Sequence, residues 1–303
     1  MAINRRNFFK LAAAGSTALA VGKAHADDSG LTVDCSDNYG VLVDTAVCIG
    51  CRRCELACDQ EHTKSGRPPE SFDDKSVYEK HRRPNKDAFT VVNEFADPAK
   101  PDDKYTMKVQ CMHCNDPACA SACLVGALRK DAAGPVVYEE WRCIGCRYCM
   151  VACPFQIPTY EYDKALEPRV RKCTFCYERI TEEGQMPACV AICPNEALTF
   201  GTRQRLLEVA HYRIKSHPER YVDHVYGEKE AGGTSWMYLA PAEFAHTELP
   251  RLDHSAIPTL TETIQHGIFK SFLPPLALYG LLGLIMHSTR EKKDRSEESS
   301  NHD

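Results

Sequence analysis

The chain has 303 residues, a formal net charge of −5 and seventeen cysteines. Residues 1–26 hold four basic residues and no acid; without them 33 basic residues face 42 acidic ones, a net −9, which argues against nucleic acid as a partner. Disulfide scaffolds reach such cysteine counts in far shorter chains, so close clustering of cysteines in a chain this long points first to metal.

The first element in chain order is an address. Asn4-Arg5-Arg6-Asn7-Phe8-Phe9-Lys10 precedes an apolar stretch from Leu11 to Val21 and then Ala24-His25-Ala26. A twin arginine, a short apolar region and an A-x-A site in that order form a Tat export signal, with cleavage expected after Ala26. Cys35 follows nine residues later with no spare cysteine to pair with, and it is assigned no role.

The other sixteen cysteines fall into four groups: Cys48, Cys51, Cys54 and Cys58; Cys111, Cys114, Cys119 and Cys123; Cys143, Cys146, Cys149 and Cys153; Cys173, Cys176, Cys189 and Cys193. The first and third are C-x2-C-x2-C-x3-C, the bacterial ferredoxin run, and Pro154 and Pro194 follow the last cysteines of the third and fourth groups as that run expects. Three cysteines two residues apart wrap a tight loop around one face of a cubane. The N–H groups of that loop then stabilise negative charge on the cluster sulfurs. Gly50 and Gly145 sit between the first two cysteines, where a residue without Cβ lets the chain turn sharply.

The groups also repeat. The stretch from Val41 through Cys58 matches that from Val136 through Cys153 at an offset of 95, and Pro117 through Leu128 matches Pro187 through Leu198 at an offset of 70. The order is therefore A-B-A-B, with one module nested between the halves of the other. Disulfides are the default for an exported protein, but the Tat route carries folded, cofactor-loaded chains. Zinc also takes C-x2-C pairs, yet it explains neither four groups of four nor the x3 step. No cysteine is missing, so four [4Fe–4S] clusters is the simplest count, with all sixteen as metal and cofactor ligands.

Between the groups, Asp59 to Pro84 reads as polar loop, and Phe89 to Phe95 with Tyr105 to Gln110 as a β-hairpin available to a partner. His113, inside Cys111-Met112-His113-Cys114, reads as a loop residue near a cluster rather than a ligand. Arg52, Arg53, Arg147, Arg171 and Lys172 flank cysteines; they either offset cluster charge or form a solvated basic face. Thr202 to Ser216 reads as a helix with Leu206, Leu207, Ala210 and Ile214 on one face, Ser235 to Leu239 as a strand, and Glu243 to Pro258 as an extended link. No nucleotide loop, no nucleophile with its base and no substrate-pocket motif is found, which favours a conduit over a catalyst.

The last element is Ile268 to Met286, nineteen residues whose only charge is Lys270, spanning roughly 28 Å as a helix. Pro274 and Pro275 would start or kink it, and Arg290, Lys292, Lys293 and Arg295 follow, so the tail is expected in the cytoplasm and the body outside. His266 and His287 near its ends admit a quinone or haem contact, or no role.

These residues resemble the four-cluster ferredoxin-like electron-transfer subunits of membrane-bound oxidoreductases, over most of residues 40–200. Arg147-Tyr148-Cys149-Met150-Val151-Ala152-Cys153-Pro154, Tyr226-Gly227-Glu228-Lys229-Glu230 and Gln265-His266 look most like the hydrogenase-2-type electron-transfer subunit of periplasmic [NiFe] hydrogenase; the beta subunit of formate dehydrogenase or of another Tat-exported respiratory oxidoreductase is the alternative. The resemblance implies that fourth cysteines are exchanged between modules. Cys48, Cys51 and Cys54 would take Cys193; Cys173, Cys176 and Cys189 would take Cys58; Cys111, Cys114 and Cys119 would take Cys153; and Cys143, Cys146 and Cys149 would take Cys123. Leu124 and Asp59 depart from the proline that often follows a fourth cysteine.

It further implies a non-catalytic electron-transfer chain between catalytic subunits of a NiFe hydrogenase and an integral membrane, quinone-reactive subunit, at the periplasmic face of a bacterial inner membrane. Cluster potentials range from roughly −700 to +450 mV, so direction is left open. The expected fold class is α+β: two interleaved bacterial-ferredoxin-like modules, a β-hairpin insert and a C-terminal transmembrane helix. The expected organisation is a signal peptide at 1–26, a four-cluster domain at 27–200 with its insert at 59–110, a helix and linker region at 201–265, a transmembrane anchor at 266–288 and a cytoplasmic tail at 289–303.

Overall fold

A computed structural model describes residues 38–97, 100–259, 261–262 and 276–287. The export signal, Cys35, Lys270, Pro274, Pro275, His266 and the tail after 287 lie outside the described residues.

A three-stranded sheet organises the body. Strand β1 (Tyr39–Asp44) is central. It pairs antiparallel with a strand at Leu198–Thr202 and parallel with one at Trp236–Leu239. Val41, Leu42 and Val43 are all buried, so both faces of β1 are covered. Alternation sends Leu42, Met237 and Leu239 to one face, where Leu206, Ala210 and Ile214 of the helix Arg203–Ser216 pack. It sends Val41, Val43, Trp236 and Tyr238 to the other face, into a core that contains cysteines of the motif groups. The helix is held over the sheet by Asp44, which accepts hydrogen bonds from Arg213 Nη1 at 2.9 Å and from the Tyr221 hydroxyl at 2.8 Å.

The remaining strands form pairs. β2 (Val91–Asp97) and β3 (Lys100–Val109) make the hairpin of the insert, β4 (Leu128–Lys130) pairs with β5 (Val136–Tyr138), and β6 (Thr159–Tyr160) with β7 (Val170–Arg171). Continuing in chain order, Leu198–Thr202 is β8 and Trp236–Leu239 is β9. The β1–β8 register sets Val41 opposite Phe200 and Val43 opposite Leu198; the β4–β5 register sets Val136 opposite Lys130 and Tyr138 opposite Leu128. The two registers coincide under the repeat offsets. One pairing closes locally and the other joins segments more than 150 residues apart, as the nested order requires.

Two parts of the chain depart from expectation. Residues 243–258 do not run free: Pro250 O accepts a hydrogen bond from the Tyr226 hydroxyl, Asp253 O from Ala231 N and His254 O from Gly232 N, and Phe244 and Leu249 are buried. The fold class with a C-terminal transmembrane helix is corrected. Among the described residues no helix is long and apolar enough to cross a membrane. The described helical segment is 276–287, twelve residues, which rises only about 18 Å against a hydrocarbon core of about 30 Å. What is described is a body of small mixed sheets and short helices.

Candidate cluster-binding sites

The site begins with two loops of the same sequence, Cys-Ile-Gly-Cys-Arg. In both, the glycine and the arginine take left-handed backbone angles: Gly50 φ 62° and Arg52 φ 59° in the first, Gly145 φ 69° and Arg147 φ 63° in the second. The glycines have no alternative, because a Cβ on Gly50 would meet Thr106 at 2.8 Å and one on Gly145 would meet the Tyr160 hydroxyl at 2.5 Å. Each left-handed arginine starts a short helix, Arg53–Cys58 (α1) or Tyr148–Ala152 (α2), that carries the third cysteine and brings the fourth to its end. The loop thus keeps three thiols together and sends the fourth away.

Four neighbourhoods of thiols result. Cys48, Cys51, Cys54 and Cys193 line one small cavity, walled by Val43, Val92 and Leu198. The Cys58 thiol is flanked by those of Cys173, Cys189 and Cys176. The Cys114 thiol is flanked by Cys111, Cys119 and Cys153, and Cys149 by Cys143, Cys123 and Cys146. These quartets also form a series. Cys54 of the first lies in electrostatic range of Cys189 in the second, Cys173 of the second of Cys111 in the third, and Cys119 of the third of Cys149 in the fourth.

The chemistry of the donor set fits an iron–sulfur cubane. All sixteen described cysteines are free of disulfides. Among the described residues no three His, Cys, Asp or Glu side chains converge on a single ion. Four thiolates at about 2.3 Å from one zinc would sit about 3.8 Å apart, whereas a cubane needs a wider cage. Burial pushes the Cys119 and Cys176 thiols up to about 12 and those of Cys149 and Cys173 to about 11, so ionising them demands strong positive charge, which ligated iron provides. Backbone N–H groups already point at sulfur: Phe175 N donates to Cys173 Sγ at 3.3 Å and Ala127 N to Cys123 Sγ at 3.2 Å.

The flanking basic residues divide by environment. Arg52 is buried and binds Glu55 at 2.9 Å and the carbonyls of Ser71 and Asp74, while Arg53 makes an exposed pair with Asp73. Arg147 lies over the rings of Tyr160 and Tyr162, and Arg171 pairs with Glu161 at 2.8 Å. Lys172 is buried and donates to the carbonyls of Val136 and Cys173. His113 is buried; its Nδ1 accepts a hydrogen bond from Val136 N at 2.8 Å, and burial together with Lys172 and Lys130 pushes its pKa well below the usual histidine value, so the ring is neutral.

Four residues of the insert escaped the sequence reading. On β3 and just past its end, Thr106, Lys108 and Gln110 look like the polar, solvent-facing half of an alternating strand; instead all three are buried. Thr106 Oγ1 donates to Cys48 O, and Lys108 lines the first cavity. His62, in the segment read as loop, places Nε2 3.1 Å from Cys176 Sγ. The alternation was legible; which face met solvent was not.

Comparison with known proteins places the chain among iron–sulfur proteins. The model of the 4Fe-4S dicluster domain family matches residues 103–203. A protein of Nitratidesulfovibrio vulgaris is 50% identical over 248 residues, covering 81% of this chain and 66% of that protein's length. The hydrogenase-2 operon protein HybA of Escherichia coli O157:H7 is 34% identical, covering 99% of this chain and all of its own. The iron-sulfur subunit of nitrate-inducible formate dehydrogenase of Escherichia coli is 34% identical, covering 81% and 83%. With sixteen cysteines in four quartets to match four [4Fe–4S] clusters, the chain belongs to the family of iron–sulfur electron-transfer subunits that includes HybA and the formate dehydrogenase iron–sulfur subunits.

Proposed function

We propose that the chain is the non-catalytic wire of a Tat-exported respiratory complex on the periplasmic side of a bacterial inner membrane. Electrons pass between the catalytic subunits of a NiFe hydrogenase and an integral membrane, quinone-reactive subunit. A bound [4Fe–4S] cluster stores and releases one electron at a time. The chain's own residues hold the clusters, space them and exclude water from the middle of the path. The ligand sets are the four spatial quartets: Cys48, Cys51, Cys54 and Cys193; Cys58, Cys173, Cys176 and Cys189; Cys111, Cys114, Cys119 and Cys153; Cys123, Cys143, Cys146 and Cys149.

The observation that carries this reading is the serial order of the quartets. Every cysteine of the second is buried, as are three of the third, while all four of the first and three of the fourth are half-exposed. A path with two surface ends and an insulated middle suits a conduit between two partners. HybA, whose printed name ties it to hydrogenase-2, aligns along its whole length, which supports the hydrogenase partner; the formate dehydrogenase subunit, similar over 83% of its length, is the competing one. Affinity purification of the full-length chain from anaerobic membranes tests this. A NiFe large subunit in the complex is the expected result, and a molybdopterin subunit in its place overturns the hydrogenase assignment.

A further inference from the structure

Lys108 is a charged side chain with no counter-ion among the described carboxylates. It is 2% exposed, and among the described residues no carboxylate pairs with it. Its Nζ donates to Gln110 Oε1 at 2.9 Å and lies 4.4 Å from the centre of the Trp236 ring. Gln110 is itself held by its Nε2 donating to the Tyr238 hydroxyl at 2.6 Å, and that hydroxyl donates to Lys108 O at 2.9 Å. The lysine is therefore fixed in place by neutral groups. A buried ammonium left without negative charge costs several kcal/mol or loses its proton. The groups around it that carry negative charge once a cluster is bound are ligand sulfurs from two quartets: Cys54 from the first, and Cys173 and Cys189 from the second. Lys108 also lines the cavity that holds Cys48, Cys51, Cys54 and Cys193.

We propose that Lys108 is a fixed cation shared by the first and second clusters, raising the reduction potential of both and easing electron transfer between them. The proposal rests on the ligand sets given above. One electron arriving at either site adds one negative charge beside the ammonium. No proton leaves the lysine, so the charge is balanced by a permanent cation. Lys172, also buried and held by two carbonyls, lies near His113 and Cys119, beside the third quartet rather than between the first and second.

The test uses the full chain purified anaerobically and separated from iron-bearing partners, with redox titration followed by EPR. Wild-type iron near sixteen per chain checks the ligand sets independently. Signals of the first and second clusters are identified by their loss in Cys54→Ser and Cys176→Ser. In Lys108→Met both of these signals should move to lower potential, the other two should stay, and Lys108→Arg should restore the wild-type values. Unchanged potentials with full iron overturn the proposal, as does an equal shift of all four. Should Lys108→Met lose iron, Lys108→Gln takes its place, keeping a hydrogen bond to Gln110 without charge. Loss of iron from those two sites in both neutral variants, with retention in Lys108→Arg, supports a charge requirement; loss in all three variants overturns it.

Discussion

The two Cys-Ile-Gly-Cys-Arg loops share a sequence, a backbone and a pair of left-handed residues, yet they live in different surroundings. In the first, the insert closes over the loop: the Tyr78 hydroxyl donates to Gly50 O at 2.6 Å, Lys75 donates to the same carbonyl, and Arg52 and Leu56 are buried. In the second the Tyr160 hydroxyl approaches Gly145, but no insert closes over the loop among the described residues. Arg147 is exposed, and Val151, which matches Leu56 at the repeat offset, is 87% exposed. Trp141, Ile144, Tyr148, Tyr162 and Leu166 are exposed around it. Local sequence sets how a loop wraps its cluster, while a remote insertion sets whether that cluster is walled in.

The largest test of this contrast is ligand removal. Cys146→Ser in the bare module and Cys51→Ser in the covered one should each lose or convert one cluster, with iron falling by about a quarter if four equal clusters are bound. Unchanged iron and EPR spectra in either variant would contradict its assignment as a ligand.

Next is the carboxylate that ties the insert to the first loop. Glu55 is buried and accepts hydrogen bonds from Arg52 at 2.9 Å, Arg82 at 2.6 Å and Val92 N at 2.7 Å. Glu55→Gln leaves two arginines without their counter-ion and should destabilise the covered module by about 3–5 kcal/mol. Thermal release of iron should come earlier from the first two clusters than from the fourth.

A smaller effect compares matched positions. Leu56→Ala should cost about 2–5 kcal/mol, because it empties packed space. Val151→Ala should stay within about 0.5 kcal/mol, because the side chain already faces solvent. Equal losses in the two melting curves would mean that the insert does not distinguish the modules.

The smallest effect lies away from the clusters. His224 Nε2 is 2.6 Å from Glu230 Oε1, and this hydrogen bond raises the histidine pKa despite partial burial. A raised folded-state pKa stabilises below the unfolded value of about 6.5 and is lost as pH rises through the folded value. The melting temperature of the wild type should therefore fall, relative to that of His224→Gln, between pH 6 and pH 8.5. Parallel pH profiles for the two proteins would remove the pair from the account.

Much of the site was legible before any coordinates, because it is local. C-x2-C-x2-C needs only a tight loop, and Gly50 and Gly145 mark where that loop turns. The hairpin was legible in outline, with β2 and β3 shifted by a few residues from the expected spans. Lys108 was not legible, since a charged residue on the polar stripe of a strand reads as solvated. The membrane helix expected at 266–288 rested on the length of the apolar run and the basic residues after it, and the twelve described helical residues are too short for that role.

By itself the sequence determined sixteen ligand-type residues and the sharp turns at Gly50 and Gly145, which follow from spacing within each motif, and the A-B-A-B order, which follows from repeats at offsets of 95 and 70. Spacing alone does not say which fourth thiol stands beside which trio; the resemblance implied a pairing, and in the fold Cys48 and Cys193, far apart along the chain, line one cavity because β1 pairs with β8. It also decided that the polar face of β3 turns inward. Burial is a property of what packs against a strand, and here that neighbour is the array of quartets rather than water.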